Sequence, residues 1–145
     1  CKPIKEFNQD LQDLVFEMSE TLRANRGVGL AAPQVGQSLR LAIIEFDPAR
    51  LFDEDEADLK KAKKIPLTVL INPKITQKSQ ETETASESCL SCPEAEVDIT
   101  RSTKIKVLAQ DLNGNRIKIK ASDFFARILQ HELDHLDGIL ITDKK

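Results

Sequence analysis

Both histidines of this chain, His131 and His135, lie four residues apart, and Glu132 stands beside the first. Apolar residues recur at helical spacing through the surrounding segment, so we predict a helix that ends near Gly138. Residues at i and i+4 share one face of a helix, so two imidazoles can bind one divalent metal there while Glu132 acts on a water. The fold must therefore pack this helix with its histidine face against a further ligand. The alternative is that the two histidines are ordinary residues on the helix surface.

A third ligand has to be found elsewhere in the chain, because catalytic zinc-type sites normally have three protein ligands and one open position. In the extended metalloprotease pattern a third histidine follows the glycine by three residues, but Ile141 stands there. Residues 136–145 also contain no glutamate. With no other histidine available, the third ligand must be an upstream cysteine or carboxylate.

Upstream of the helix, Cys89 and Cys92 form a Cys-Leu-Ser-Cys unit. A redox dithiol is disfavoured, because an alternating stretch and not a helix follows it. A closed zinc site of both cysteines and both histidines would be inert and would leave Glu132 without a purpose. Its cysteine–histidine separation also far exceeds the roughly 12-residue spacing of a small finger. A single cysteine ligand fits Glu132 better, and spacing alone does not decide which cysteine it is.

The small-residue segment 27–36 reads Gly-Val-Gly-Leu-Ala-Ala-Pro-Gln-Val-Gly. Such a run indicates that its backbone is approached closely by another group. A phosphate-binding loop is disfavoured, because the Gly-Lys-Ser/Thr ending is absent and no long helical pattern follows.

Local patterns elsewhere predict an α+β fold, with mostly antiparallel strands surrounding a central helix that carries the HExxH motif. Asn8 should cap a first helix that ends near residues 25–27. Strands are predicted at 41–46 and at 67–72, where Pro73 marks the end, and residues 111–115 should turn a hairpin. We expect residues 81–88 to be solvated and residues 139–141 to add a short strand.

Length and charge narrow the class of protein. A chain of 145 residues fits one domain, so we predict a single catalytic domain over 1–145, with 47–64 as a charged insertion loop. The net charge of −3 gives no electrostatic case for binding nucleic acid or an anionic membrane. No apolar run approaches the roughly 20 residues that span a bilayer, and no signal-peptide pattern is visible. Three cysteines, an odd number, argue against a disulfide framework and for a reducing compartment.

Three motifs together resemble those of the peptide deformylase family, which are GxGLAAxQ, EGCxS and QHExDHxxG. Residues 27–34, 87–91 and 130–138 follow these patterns in the same order, with Ser88 at the glycine of the second motif. The resemblance covers nearly the whole chain and implies the family's fold. Lys2-Pro3 resembles the segment shortly before the family's first long helix, so we expect the short N-terminal piece of the family to be missing. A side chain at Ser88 is expected to crowd a bound peptide or to require a φ that serine disfavours.

The resemblance implies that Cys89, His131 and His135 bind the metal, natively Fe(II), which zinc or nickel can replace. It implies removal of the formyl group from N-formylmethionyl nascent peptides, met at the ribosome, with release of formate. Glu132 would then take the proton of the attacking water and deliver it to the departing amine. The oxyanion donors implied are the side-chain amide of Gln34 and the backbone N–H of Leu90.

The same resemblance bears on the peptide site and on the compartment. We expect Gly29 to let the peptide lie alongside as an added strand, and Val28, Phe124 and Ile128 to form the methionine pocket. The alternative for these apolar residues is core packing. Cys92 is interpreted as a packing residue. The expected compartment is a bacterial-type cytoplasm or an organelle, and the protein is not expected to be secreted.

Glu87 and Arg101 are expected to form an ion pair, which if exposed would contribute about 0–1 kcal/mol. The functional alternatives are a zinc peptidase acting on internal peptide bonds and a non-catalytic domain that a metal braces.

Overall fold

A computed structural model describes residues 1–48, 64–89 and 92–144, so most of the predicted 47–64 insertion lies outside the described residues. The helices and strands, in chain order, are α1 (Gln9–Ala24), β1 (Gly29–Ala31), β2 (Leu41–Phe46), β3 (Ile65–Lys78), β4 (Thr82–Cys89), β5 (Cys92–Ser102), β6 (Lys104–Gln110), β7 (Arg116–Ser122) and α2 (Asp123–Leu136). Single 3₁₀ turns follow β1 (Ala32–Val35) and α2 (Ile141–Lys144).

The strands form two separate antiparallel ladders. Five strands pair in the order β1-β2-β3-β6-β7, and β4 pairs with β5 in a second, two-stranded sheet. This arrangement confirms the predicted α+β class, with α2 lying against the sheets. Within the described part of the chain, no helix is both long and apolar enough to cross a membrane.

Helix α1 begins where the sequence predicts. The side chain of Asn8 accepts a hydrogen bond from the Leu11 N–H at 3.1 Å, which satisfies one of the free donors of the first turn. Leu11, Val15, Met18 and Leu22 follow at spacings of three and four and are all buried. The helix therefore closes one side of the core over β1 and β2.

Strand β3 passes through Pro73, so the predicted end of this strand is wrong. The register against β6 shifts between Ile71 and Lys74, and Asn72 has a positive φ of 51°. Proline is tolerated within sheets at such bulges, because no ladder hydrogen bond is required of it there. The Asn72 amide also binds both the N–H and the C=O of Ile4, at 2.7 and 2.8 Å. The bulge is thereby held against the N-terminal segment.

One segment agrees only in part with the sequence predictions, and another differs from them. Residues 81–88, expected to be solvated, contribute to β4; most of their side chains are exposed, but Glu87 is buried. The short strand expected at 139–141 does not form. Instead, the Leu140 N–H donates to the Asp143 carboxylate and the Asp143 N–H donates to the Leu140 C=O, which closes a local 3₁₀ turn.

Helix α2 packs its apolar side on the inner face of the five-stranded sheet. Ala126, Ile128 and Leu129 lie in one buried cluster with Ile105, Val107 and other inward-facing strand residues. Gly138, with φ 77°, follows the helix end as predicted. On another side of the helix, the Gln130 amide accepts from the Ser102 N–H and donates to the Ser102 C=O. These bonds attach the end of β5 to the helix, so both sheets are tied to α2.

Candidate metal centre and active site

Three potential metal ligands meet where the end of β4 reaches α2. His131 and His135 lie one helical turn apart with their rings edge to face, and their Nε2 atoms are 3.1 Å apart. The Cys89 Sγ lies 3.2 Å from the His135 Nε2, and the ligand atoms of all three residues fall within 4.8 Å of one another. Two imidazole nitrogens and one thiolate are ligands that Zn²⁺ and similar ions accept, and they leave one position of a four-coordinate site open.

A buried carboxylate fixes the orientation of His131. Its Nδ1–H donates to Glu87 Oε1 at 2.9 Å, which leaves Nε2 facing Cys89 and His135. Arg101 binds Glu87 with two hydrogen bonds of 2.8 and 2.9 Å, so the expected pair is present. Both side chains are buried, however, so the pair is not a surface ion pair. Burial alone would raise the pKa of Glu87, but hydrogen bonds from Arg101 and His131 lower it to about 2.

The histidine itself is strongly perturbed. Burial favours a low pKa for His131, but hydrogen bonds to Cys89 and Glu87 outweigh it and raise the pKa to about 10. Since a metal binds the neutral imidazole, loading this centre must displace a proton.

Glu132 lies in the same place, fully enclosed and 3% exposed. Its Oε2 has no hydrogen-bond partner among the described residues. Burial raises the pKa of Glu132 to about 7, against the lowering effect of His131 and His135. An orphaned carboxylate oxygen beside two imidazoles and a thiolate is the arrangement that a metal and its water would satisfy, so the residues fit such an ion.

The Gln34 side chain is oriented by a backbone N–H three residues earlier in the chain. Its Oε1 accepts from the Ala31 N–H at 2.8 Å, which turns the amide NH₂ toward the Cys89 Sγ, 3.5 Å away. The other predicted oxyanion donor, the Leu90 N–H, lies outside the described residues.

The four predicted peptide-binding residues, Val28, Gly29, Phe124 and Ile128, all line one cleft of about 450 Å³ beside the metal ligands. Phe124 is half-exposed and packs edge-on against Phe46, whereas Ile128 is also part of the buried core. The position of Ile128 is therefore compatible both with the predicted methionine pocket and with the alternative of core packing.

Ser88 also lines this cleft. It lies in the extended strand β4, with its side chain exposed, and its φ is not positive. The expected backbone strain is therefore absent, and only crowding of a bound peptide remains from that expectation.

Sequence reasoning missed Arg127. Its guanidinium donates to Glu87 Oε2 at 2.5 Å, to the Ile99 C=O at 2.9 Å and to the Glu83 C=O at 2.6 Å. It joins α2 to both strands of the small sheet and lines the cleft. Its position four residues before His131, on the same helix face, is the signal that could have found it.

Comparisons with known proteins agree with this geometry. The polypeptide deformylase family matches residues 1–145. A peptide deformylase of Roseiflexus castenholzii is 42% identical over 99% of this chain and 78% of its own, and one of Dictyoglomus thermophilum is 39% identical over 99% and 82%. The Thermotoga maritima structure superposes with a TM-score of 0.83 at 38% identity, covering 99% of this chain and 86% of that one. An Acinetobacter baumannii structure with Met-Ala-Ser bound gives 0.88 at 32% identity, covering 100% and 89%.

The fold and the grouped cysteine and histidines define a metal-dependent hydrolase. The chain belongs to the peptide deformylase family. It removes the formyl group from the N-terminal formylmethionine of nascent polypeptides, so the peptidase and metal-braced alternatives are set aside.

Proposed function

We propose that Cys89, His131 and His135 hold a single divalent ion, Fe(II) in the cell, with zinc or nickel able to replace it. The observation that carries this proposal is the approach of one sulfur and two imidazole nitrogens within 4.8 Å, beside a carboxylate oxygen that lacks a partner. When bound, such an ion lowers the pKa of a water from 15.7 to about 7 and polarises a carbonyl oxygen.

Glu132 is the proposed proton carrier. It is enclosed, interacts electrostatically with His131, His135 and Cys89, and has one oxygen without a hydrogen-bond partner among the described residues. A carboxylate held there can accept a proton from water and return it to the amine of the departing methionine. Its burial limits the access of bulk water to this transfer.

Gln34 is the proposed donor to the developing oxyanion, together with the Leu90 N–H. The hydrogen bond from the Ala31 N–H fixes the amide orientation, so its NH₂ group needs no reorganisation during the reaction. That preorganisation makes a side-chain amide effective in this role.

The cleft beside the cluster is the proposed site of the methionine side chain. Val28, Phe124 and Ile128 supply apolar walls, and Gly29 supplies a strand edge on which peptide backbone can pair. The Acinetobacter baumannii relative was solved with Met-Ala-Ser, a peptide that begins with methionine. We propose that a peptide of the same kind binds along β1 here.

The proposed setting is the ribosome, in a bacterial-type cytoplasm or an organelle, where peptides begin with formylmethionine. We also propose that residues 1–145 act as a single catalytic domain, which the family match along this whole length supports.

The test is an anaerobic assay of iron-loaded protein with formyl-Met-Ala-Ser as the probe. Formate and free Met-Ala-Ser are expected to appear together, and a chelator should abolish both. Acetyl-Met-Ala-Ser and an unformylated longer peptide are the controls, and neither should be cleaved. Folded, iron-loaded protein that releases no formate would refute the proposal, and internal cleavage would point to a peptidase.

A further inference from the structure

The outward face of the five-stranded sheet carries a concentration of positive charge that the reaction does not use. Strands β3, β6 and β7 contain no aspartate or glutamate at all. Seven exposed cations lie on them. Lys78 is opposite the inward-facing Ile105, and we call the other six the basic face: Lys74, Lys104, Lys106, Arg116, Lys118 and Lys120.

The basic face arises from the alternation of side chains along the strands. On β6, Ile105 and Val107 point inward and pack under α2, so Lys104 and Lys106 must point outward. The register places Lys120 of β7 directly opposite Lys106, and Lys118 opposite Leu108. Lys74 of β3 is opposite Leu108 on its other side. The cations therefore lie on one surface across three adjacent strands.

Part of this arrangement carries a local energetic cost. Like charges placed directly opposite in an antiparallel pair are destabilising, as with Lys106 and Lys120. Within the described residues, no ion pair joins any member of the basic face to a carboxylate. Lysines on an edge strand such as β7 can serve to prevent aggregation, but that explanation does not extend to β3 and β6, which lie inside the sheet.

The chemistry of the basic face favours one kind of partner. It has point charges and no aromatic side chain, so it suits the phosphates of a nucleic-acid backbone better than stacked single-stranded bases. It has no exposed apolar helix of the kind that inserts into a lipid surface. We infer that the basic face docks on the phosphate backbone of double-stranded RNA. This inference rests on the proposed ribosomal setting of the enzyme.

This inference departs from the expectation, drawn from the net charge of −3, that the chain does not contact nucleic acid. The total conceals an asymmetry, because the acidic residues lie elsewhere in the chain. The face is also remote from the reaction. It is the side of the sheet opposite α2, so docking leaves the cleft open to a peptide.

The experiment measures binding of a fluorescent RNA duplex of about 16 base pairs by full-length protein at several salt concentrations. The variant Lys106→Gln/Lys120→Gln is compared with Lys2→Gln/Lys5→Gln, which removes the same charge from exposed lysines near the N-terminus. The first variant should bind at least about tenfold more weakly, with a slope of log affinity against log salt that is less steep by about 2. The control variant should match the unmodified chain.

Equal affinity of the two double variants would overturn the inference. So would binding of phosphatidylserine vesicles or polyglutamate as tight as that of RNA. Both variants should release formate from formyl-Met-Ala-Ser at the unmodified rate, and a loss in the first alone would also overturn it. Because this peptide assay needs no RNA, it reports separately on the proposed catalytic function.

Discussion

A β-carbon at Gly29 would lie 2.5 Å from Oε1 of Glu132, closer than two such atoms can approach. The Glu132 carboxyl therefore occupies the volume that any other residue would need at position 29. Gly29 does not have a positive φ, so its backbone conformation does not explain the glycine. The close approach of Glu132 does explain it. Strand β1 and the proposed proton carrier are fitted to each other at this point.

Gly29→Ala should displace the Glu132 carboxyl and reduce kcat by about 100-fold, since misplacement of roughly 1 Å in an active site has that effect. Metal content should be unchanged, because none of the three proposed ligands is touched. The measurements are formate release and metal per chain on the same preparation. Full activity in the alanine variant would show that the carboxyl does not need its present position.

Glu132→Gln should keep the ion and lose about 100- to 10,000-fold in formate release, because an amide cannot take up the proton. The exposed Glu17→Gln is the matched control, with the same atoms changed on α1. Activity would be assayed under saturating peptide, with iron quantified beforehand. Retained turnover in the glutamine variant would assign proton transfer to another group.

Glu87→Gln should weaken the fold by about 1–3 kcal/mol, because Arg127 and the buried Arg101 lose their ionic hydrogen bonds to Glu87 while Asp134 still pairs with Arg101. It should also weaken metal binding by about 10- to 100-fold, since Glu87 orients His131. Urea unfolding of metal-free protein and zinc competition titration measure the two effects. As a control, Glu45→Gln removes a less buried pair with Arg23 and should cost no more than about 1 kcal/mol.

The stability that Glu87 contributes should depend on pH. The folded pKa of Glu87 is about 2, below its ordinary value of 4.5. Its ionised form therefore contributes stability that is complete above about pH 4.5 and is lost as the pH falls through about 2. The gap in unfolding free energy between unmodified and Glu87→Gln protein, both metal-free, should be wide near about pH 6 and narrow near about pH 2.5. A gap of constant size would refute this assignment.

Leu129→Ala should destabilise the chain by about 2–5 kcal/mol, because Leu129 is fully buried between α2 and the sheet. The control is Leu140→Ala, at a position that is 37% exposed and should change stability far less. Thermal unfolding of both variants provides the measurement. Equal shifts would mean that α2 is not held through this cluster.

Features encoded by neighbouring residues could be predicted from the sequence. The Asn8 cap, the burial of Leu11 and Val15 and the turn at 111–115 all follow from local spacing, and the structure confirms them. The family assignment also rested on short motifs. Local reasoning erred at Pro73, because proline was taken as a strand end when a register shift allows β3 to continue.

Contacts between distant residues could not be predicted in the same way. Spacing left Cys89 and Cys92 open as the third ligand, and only the end of β4 against α2 brings the Cys89 Sγ beside His135. The Glu87 pair with Arg101 was anticipated but not its burial, in which Arg127 and His131 of α2 take part by binding Glu87. Arg127 was missed because its partners on β4 and β5 are far away in the chain.

Cys89 lies at the end of β4, whereas His131 and His135 lie on α2. Among the described strands, β4 and β5 pair only with each other, so no backbone ladder joins Cys89 to the five-stranded sheet under α2. The hairpin of β4 and β5 is held to α2 largely through side chains such as Arg127 and Gln130. Its detachment would therefore require less free energy than global unfolding. Gentle heating should consequently abolish turnover while amide protons of the large sheet remain protected, and a bound ion, which cross-links the two parts, should raise the temperature of that first loss.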